Sequence, residues 1–350
     1  MHRFILKRIL QMIPVLLGVL LIVFIINRIS GDPVAQKLQA DYTQEQYDAV
    51  KASMGLDKSY PIQFFNYVWG VITRLDLGNS YFTNRSVWEE VRVRLPLSLQ
   101  LACFSMVIAI IIGVVFGIIS AVKQYSALDY SATIIAMICA SMPSFWVGMV
   151  LMLIFSVTLK WFPATGLGTW KHWILPCIAI GLAPIASICR MTRTTMLEVI
   201  RQDYVRTARS KGLSNTKVIF DHALKNCAIP IITVVGLFLS VTIGNSVVVE
   251  SVFAIPGLGS YIVNSINARD FPNVQGAVLV FSIVVCLMSL IMDVAYGLVD
   301  PRIRAQYSAK NIKTKKGAAL KSYSSVIDNA IITPGGSYSD SNDASATEDK

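Results

Sequence analysis

The sequence predicts an all-α membrane protein that crosses the bilayer six times. Of its 350 residues, 54% are hydrophobic and only 15% are charged, and the mean hydropathy of +0.57 is outside the range of a soluble chain of this length. The hydrophobic residues gather in six apolar runs. Basic residues cluster beside these runs, as they do on the cytoplasmic flanks of membrane spans. The net charge of +10 therefore indicates membrane topology and argues against nucleic-acid binding.

The apolar runs predict the individual spans. They are residues 9–26, 97–122, 132–159, 173–189, 228–249 and 277–299. The fourth run is short and contains Pro176, Gly181 and Pro184, so we expect a broken span inside the bundle, where protein groups satisfy the freed backbone atoms. In the second run, Gly113 and Gly117 form a GxxxG pattern, which predicts the close approach of another helix.

The distribution of charge predicts which ends of the spans face the cytoplasm. The loop between the fourth and fifth runs is strongly basic, and Arg302 and Arg304 follow the last run. Six crossings place this loop and both chain termini on one side, so the positive-inside rule assigns all three to the cytoplasm. The first run is predicted to be a retained span, because it exceeds a signal-peptide core and no small-residue cleavage site follows it.

Residues 30–95 are predicted to form an extracytoplasmic loop of short helices. Thr43 and Gln46 resemble a capping box, and the helix that they open is expected to end at Gly55. Pro61 is placed to open a second helix. One face of that helix carries Ile62, Phe65, Trp69 and Ile72. We expect this face to lie at the membrane interface, to receive an external partner, or to pack onto the chain's own spans.

The basic loop 190–227 is the most informative polar segment, and residues 204–214 are its centre. Good helix formers continue to Lys211, and Gly212 follows at the position where a left-handed C-terminal cap favours glycine. Ser214 is then placed to cap a second short helix, residues 215–225. Two short helices joined at a glycine predict a protruding element that binds a soluble partner. The alternative is a loop made basic by topology alone.

Two polar features within the apolar regions are candidates for a translocation path or gate. Asp293 lies inside the sixth run, where a central Asp costs about 2.5–3.5 kcal/mol, so it is expected to face protein or water. The segment 250–259 interrupts a helix with proline and glycine, either as a gate or as a plain turn, and residues 260–271 are expected to form a surface helix. The candidate path residues are Ser141, Pro143, Ser144, Glu250, Pro256, Gly257 and Asp293.

The sequence contains no pattern typical of an enzyme or a metal site. Its six cysteines lie in or beside apolar runs without a CxxC pair, and its three histidines are scattered, so we expect no metal site. No GxxxxGK[ST] phosphate loop and no acid–base pair within the runs is found, so we expect no catalytic residue and no cofactor in this chain. Residues 306–350 have the composition of a disordered cytoplasmic tail.

An ordered series of motifs resembles the B-type permease subunit of bacterial dipeptide and oligopeptide ATP-binding-cassette (ABC) importers. The motifs are residues 31–33 (Gly-Asp-Pro), 55–57 (Gly-Leu-Asp), 76–78 (Asp-Leu-Gly), 94–96 (Arg-Leu-Pro), 141–146 (Ser-Met-Pro-Ser-Phe-Trp), 203–214, 226–230 (Asn-Cys-Ala-Ile-Pro) and 250–259. Each is weak alone, but their order across residues 1–305 is specific. The resemblance divides the chain into residues 1–29, an external loop 30–95, a permease core 96–305 and a tail 306–350.

The resemblance implies a type I importer fold in which a cytoplasmic loop inserts a coupling helix into a groove on an ATPase subunit. Arg206, Thr207 and Ala208 match the Glu-Ala-Ala positions of the family loop, and Gly212 matches its glycine. The acidic residue and the first alanine are thus replaced, which changes the expected contact chemistry. The coupling residues implied are Tyr204, Arg206, Thr207, Ala208, Lys211, Gly212 and Leu213.

The resemblance also implies the partners of the chain in the inner membrane. They are two ATPase subunits that bind ATP and Mg²⁺, a homologous second permease subunit, an external solute-binding protein that delivers the peptide, and membrane lipid. An importer of the same family for nickel, glutathione or a short oligosaccharide is the alternative. A channel would show a repeated filter, and an intramembrane enzyme would show paired ionisable residues in its spans; the sequence shows neither.

Overall fold

The computed structural model describes residues 2–38 and 41–299, with side chains from residue 5 to residue 295. Residues Met1–Ala295 form one compact unit. Of the second unit, Tyr296–Lys350, the described part is the end of the last helix. The predicted tail 306–350, together with Arg302 and Arg304, lies outside the described residues.

Apart from an isolated bridge between Asn79 and Ser86, every regular element in the described ranges is a helix. The helices are α1 His2–Ile29, α2 Pro33–Leu38, α3 Gln44–Ser53, α4 Tyr60–Arg74, α5 Val87–Val122, α6 Ala127–Ser141, α7 Ser144–Thr158, α8 Lys171–Ile200, α9 Asp203–Ser210, α10 Asn215–Val252, α11 Leu258–Asn267 and α12 Phe271–Val299. Two of these contain π-helical turns, α7 at Met152–Thr158 and α10 at Val218–Leu224.

Six spans are accounted for by these helices. Helices α1, α5, α8, α10 and α12 are each long and apolar enough to cross a membrane. The third predicted span is a bent pair, because α6 and α7 meet at 107° across Met142 and Pro143. Proline at this position restricts the preceding residue to extended backbone, which ends α6. The all-α, six-span prediction is confirmed with this bent pair as one span.

Helices α5 and α8 form the centre of the bundle, and their contact depends on glycine. A Cβ atom added to Gly113 would lie 2.8 Å from the Cβ of Ile188, and one added to Gly117 would lie 2.6 Å from the Cβ of Thr192. Both distances are shorter than atomic contact permits, so only glycine lets the two backbones approach this closely. The GxxxG prediction is therefore confirmed.

The prediction that the fourth span is broken is wrong. Helix α8 is continuous from Lys171 to Ile200 and contains Pro176 and Pro184. Its location inside the bundle is confirmed, since 56% of its most apolar window is buried. Packing against α5, α6, α7 and α10 holds the helix together across both prolines.

The connection between α1 and α5 is built from short helices, as predicted. Thr43 and Gln46 form the capping box of α3, and Gly55 has a φ of +67° just beyond its end. Pro61 lies in the first turn of α4. The predicted face of α4, Ile62, Phe65, Trp69 and Ile72, is exposed. The opposite face packs on the spans, with Phe64 edge-on to Phe24 of α1 at 5.4 Å, so the alternative in which the aromatic face packs onto the chain is wrong.

Asp270 attaches the segment before α5 to the start of α12. Its buried carboxylate accepts hydrogen bonds from the Ser80 hydroxyl, from the backbone N–H of Tyr81 at 3.0 Å and from the Asn273 amide at 2.8 Å. Burial raises the pKa of Asp270, and these donors act in the opposite direction by stabilising the ionised form. The anchored segment therefore has a defined position against α12.

Candidate functional site

The predicted coupling element is the short helix α9. The sequence predicts unbroken helix to Lys211, but the structure ends α8 at Ile200 and inserts a turn at Arg201 and Gln202 before α9. Val205 and Ala208, three residues apart, are 0% and 7% exposed. They pack against Val218 at the start of α10. An apolar base thus fixes α9 to the body of the protein.

The other face of α9 is polar and exposed. Tyr204, Arg206 and Thr207 lie on it, and Lys211, the residue that follows α9, is also exposed. Arg206 and Lys211 form no ion pair within residues 2–38 and 41–299, so both charges are open to an acidic partner. Ala208 and Leu213 face inward instead, and we expect them to position α9 against α10.

Gly212 follows α9 and has a φ of +79°. This left-handed conformation is costly for residues that carry a Cβ atom. No atom lies within 4 Å of the position that a Cβ would take, so the backbone conformation alone calls for glycine. The predicted left-handed cap at Gly212 is confirmed.

The second short helix predicted for residues 215–225 begins where expected, but its predicted end is wrong. Ser214 occupies the N-cap position, but its side chain makes no capping hydrogen bond. The helix that follows continues for 38 residues to Val252 as the fifth span. No glycine or proline lies at its predicted end at Lys225, so nothing stops it there. α9 is therefore connected to two membrane spans, by the turn to α8 and by residues 211–214 to α10.

An ion pair that sequence reasoning missed lies on the part of α8 that precedes α9, with the Asp129 side chain buried and the Arg193 side chain 28% exposed. Arg193 of α8 donates from Nε to Oδ1 of Asp129 at 2.6 Å and from Nη2 to Oδ2 at 2.8 Å. Asp129, at the start of α6, is 2% exposed and also accepts from the Ser120 hydroxyl and the Tyr125 backbone N–H. We call these four residues the α6–α8 clasp. It joins the end of α5, the start of α6 and the part of α8 that leads to α9.

A local sequence pattern could have identified Asp129, one of the two charged residues of the α6–α8 clasp. Ser126 and Asp129 have the spacing of an N-terminal capping motif, and the Ser126 hydroxyl accepts the Asp129 N–H at 3.3 Å. This pattern predicts a helix start, but nothing in it identifies Arg193, which is 64 residues away. In the sequence, Arg193 is one of many basic residues in the loop 190–227.

Glu250 and Gly257, two candidate gate residues, belong to a packed cluster at the other end of α10. Glu250 is 0% exposed and accepts hydrogen bonds from the Ser246 hydroxyl at 3.0 Å and the Ser260 N–H at 3.1 Å. Its carboxylate therefore lies at the N-terminus of α11, where the helix dipole favours negative charge. A Cβ atom on Gly257 would lie 2.4 Å from Glu250 Oε2. Glu250 thus holds the turn through Pro256 in place.

The helix after this turn differs from the prediction. α11 begins at Leu258, two residues before the predicted start, and ends at Asn267. Leu258 and Ile262 are buried, so α11 is not the predicted surface helix. α11 is buried because its apolar face packs against α5 and α12, in the same cluster as Val87 and Val91.

We expect Gly259→Ala to lower the stability of the protein by about 1–3 kcal/mol, the usual cost of overpacking. The new Cβ atom would lie 2.4 Å from the Cα atom of Val247, a backbone atom that cannot rotate away. The thermal midpoint of the purified protein measures the effect. Gly244→Ala, on the same helix as Val247 and with nothing within 4 Å, is the matched control. Equal midpoints for the two variants would contradict this packing argument.

The remaining path candidates lie in three separate places. Pro143 and Ser144 line a cavity of about 290 Å³ together with Asn245 of α10. Ser141 precedes them and donates to the Met137 carbonyl at 2.9 Å. Asp293 of α12 forms an ion pair with Arg8 of α1, with both N–O distances 3.2 Å. The structure therefore brings Pro143 and Ser144 together at a cavity but does not bring Glu250, Pro256 or Gly257 there.

Known family models match two parts of the chain that together make up most of it. Residues 113–305 match the family model described as binding-protein-dependent transport system inner membrane component. Residues 1–102 match the model of the N-terminal part of such membrane components. A crystal structure of inward-facing conformations of the MetNI methionine ABC transporter aligns with a TM-score of 0.50 at 17% identity, over 60% of this chain and 96% of that chain. This likeness bears on the fold alone.

Several curated proteins are similar along their full length. A dipeptide transport system permease protein, DppB, of Alkalihalophilus pseudofirmus is 39% identical over 85% of this chain and 98% of its own length. A di/tripeptide transport system permease protein of Pseudomonas aeruginosa is 37% identical, over 87% and 100%. A glutathione transport system permease protein, GsiC, of Pectobacterium atrosepticum is 38% identical, over 87% and 99%. With its six apolar spans, the chain therefore belongs to the family of binding-protein-dependent transport system inner membrane components.

Proposed function

We propose that this chain is the permease subunit of an ATP-driven ABC importer that carries dipeptides and oligopeptides across the inner membrane. The observation that carries the proposal is α9, an exposed basic helix held on a buried apolar base between two spans. Relatives named as dipeptide and di/tripeptide permeases support the substrate class. A relative named as a glutathione permease supports a second candidate, glutathione, which is itself a small peptide.

In this proposal α9 is the coupling helix. Two ATPase subunits bind and hydrolyse ATP with Mg²⁺, and each receives one coupling helix, from this chain or from a homologous second permease subunit. Arg206 and Lys211 pair with acidic residues on the ATPase surface. When the ATPase subunits close, they displace α9. Its short links to α8 and α10 pass that displacement to both spans as rigid-body motion.

The α6–α8 clasp extends this motion to a third span. Because Arg193 holds Asp129 with two hydrogen bonds, α8 and α6 move together near the coupling helix. Helix α6 leads to the bend at Met142 and Pro143 and to the cavity lined by Pro143 and Ser144. The clasp thus connects the ATPase contact with a candidate part of the translocation path.

Peptide uptake tests the proposal. The chain is reconstituted in liposomes with its second permease subunit, ATPase subunits and external binding protein from the same genome. We expect ATP-dependent uptake of a labelled dipeptide that unlabelled peptides compete away. Uptake of glutathione with no competition from dipeptides would select the second candidate. Transport of neither solute, with assembly intact, would contradict the proposed substrate class.

The proposed topology places both termini and α9 in the cytoplasm and α2–α4 outside. We expect an Asn66→Cys variant, made without the native cysteines, to react with an impermeant maleimide added to intact cells, since residue 66 is exposed on α4. Ser210→Cys on α9 is the matched control and should react only after permeabilisation. Labelling of residue 66 from the cytoplasmic side alone would overturn this topology.

A further inference from the structure

A pocket with a mixed polar and apolar lining lies where the end of α1 meets the segment after α3, α4 and the start of α12. Its volume is about 300 Å³, within the range of small-molecule sites. Its polar lining comes from five separate segments of the chain. The lining residues that can donate hydrogen bonds or carry positive charge include Arg28, Lys58, Tyr67 and Gln275. We call this cavity the loop pocket.

The charge of the loop pocket has one sign. Arg28 and Lys58 line it, and no Asp or Glu does. Two acidic residues lie next to lining residues along the chain: Asp57, which is exposed, and Asp76, which accepts the Gly78 N–H at 2.8 Å. A concave site with cations and no lining carboxylate attracts anions and strengthens any charge-assisted hydrogen bond formed inside it.

Arg28 is held rigidly, as a binding residue must be. Its guanidinium lies over the rings of Phe24, Tyr60 and Phe271 at 5.0, 5.6 and 5.4 Å, and it donates to Gln63. Gln63 in turn donates to the Lys58 carbonyl at 2.6 Å, which fixes the backbone that carries the second cation.

The loop pocket also contains hydrogen-bonding groups without partners. Gln275 is 7% exposed, and its amide has no hydrogen-bond partner in the part of the chain that the structure describes. The Tyr67 hydroxyl and Arg28 Nε are buried without a partner there, whereas the Gln275 amide atoms keep some access to solvent. Burial raises the pKa of Tyr67, so its hydroxyl stays protonated and able to donate. Buried polar groups are rarely left unpaired, so such a cluster indicates a missing acceptor.

We propose that the loop pocket binds a carboxylate group, with Lys58 and Gln275 as its principal donors and Arg28 as the fixed positive charge. A carboxylate accepts several hydrogen bonds at once, which matches the unpartnered donors. If α2–α4 lie outside, as the proposed function has it, the group comes either from a free small carboxylate or from an acidic side chain of the external binding protein.

Thermal unfolding of the purified full-length protein in nanodiscs tests the site directly, with succinate as the probe. Sodium succinate should raise the midpoint in a saturable manner relative to sodium chloride of equal ionic strength. Lys58→Met should weaken this binding about tenfold or more, through the loss of a charge-assisted hydrogen bond. The control Lys171→Met removes an exposed lysine that is not part of the pocket and should change nothing.

Gln275→Leu separates binding from a purely structural role. Because the amide has no partner in the structure, its replacement by an apolar side chain should leave the midpoint without succinate unchanged or higher, while it reduces the succinate effect. A lower midpoint without succinate, together with an unchanged succinate effect, would show that Gln275 is structural and would overturn its assignment as a donor.

A second experiment identifies the source of the carboxylate. It measures the affinity of the assembled transporter for its external binding protein. Weaker binding in Lys58→Met, with succinate as a competitor, assigns the carboxylate to the binding protein. A succinate-induced shift with unchanged affinity assigns it to a free molecule. Equal midpoints in succinate and chloride, with unchanged affinity in Lys58→Met, overturn the proposal. The succinate arm needs no ATPase and no binding protein, so its outcome is independent of the proposed transport function.

Discussion

Arg193→Leu should destabilise the protein by about 3 kcal/mol, at the low end of the cost of breaking a buried ion pair. The substitution leaves the carboxylate of Asp129, whose side chain is 3% exposed, without its two charged hydrogen bonds. The Ser120 hydroxyl and the Tyr125 N–H alone would then have to stabilise that charge. The thermal midpoint of the purified protein and the yield of folded protein in the membrane report the loss.

A double variant shows whether the unpaired charge is the cause. Asp129→Leu combined with Arg193→Leu should be more stable than Arg193→Leu alone, because the buried carboxylate is gone. Arg190→Leu, on the same helix but exposed and without an ion pair among the described residues, is the matched control and should be close to wild type. An equal loss in Arg190→Leu and Arg193→Leu would refute the clasp as the source of the effect.

Gly212→Val should abolish coupling while the membrane-spanning part of the protein stays folded. A left-handed conformation costs a residue with a Cβ atom about 1–2 kcal/mol, and β-branching adds to that cost. We expect the variant to avoid this cost by changing the path between α9 and α10, which would move Arg206 and Lys211 away from the proposed ATPase contact. Co-purification of the ATPase subunits and substrate-stimulated ATP hydrolysis in liposomes measure the result.

Asn is the informative replacement for comparison at position 212. It tolerates the left-handed conformation better than other residues that carry a Cβ atom, and the space around Gly212 is open. Gly212→Asn should therefore keep most of the ATPase association and stimulated hydrolysis. Normal ATPase stimulation in Gly212→Val would mean that this loop is not the coupling element.

Features encoded within a few residues could be predicted from the sequence. The spans follow from apolar runs, the start of α3 from its capping box, and the conformation of Gly212 from its place after a helical segment. The contact between α5 and α8 was also predictable in part, because the small residues that permit it lie four apart in one run.

Features that depend on residues far apart in the chain could not be predicted. The continuity of α8 across its two prolines depends on the helices packed around it. The pairing of Asp129 with Arg193 joins different spans, and basic residues are so common near this loop that none stands out. Glu250 follows an apolar run and precedes a proline and two glycines, which suggested a gate. In the structure it accepts the Ser260 N–H at the start of α11, and this contact depends on how the chain folds back after Pro256.

The two short links of α9 limit how far this helix can travel. Arg201 and Gln202 can span at most about 7 Å even when fully extended, and residues 211–214 at most about 14 Å. A larger stroke of α9 would have to unwind the end of α8 or pull on α10 itself. α9 therefore cannot move far without moving α8 or α10. Extra residues inserted between Ile200 and Asp203 would reduce the displacement that α9 transmits to these spans.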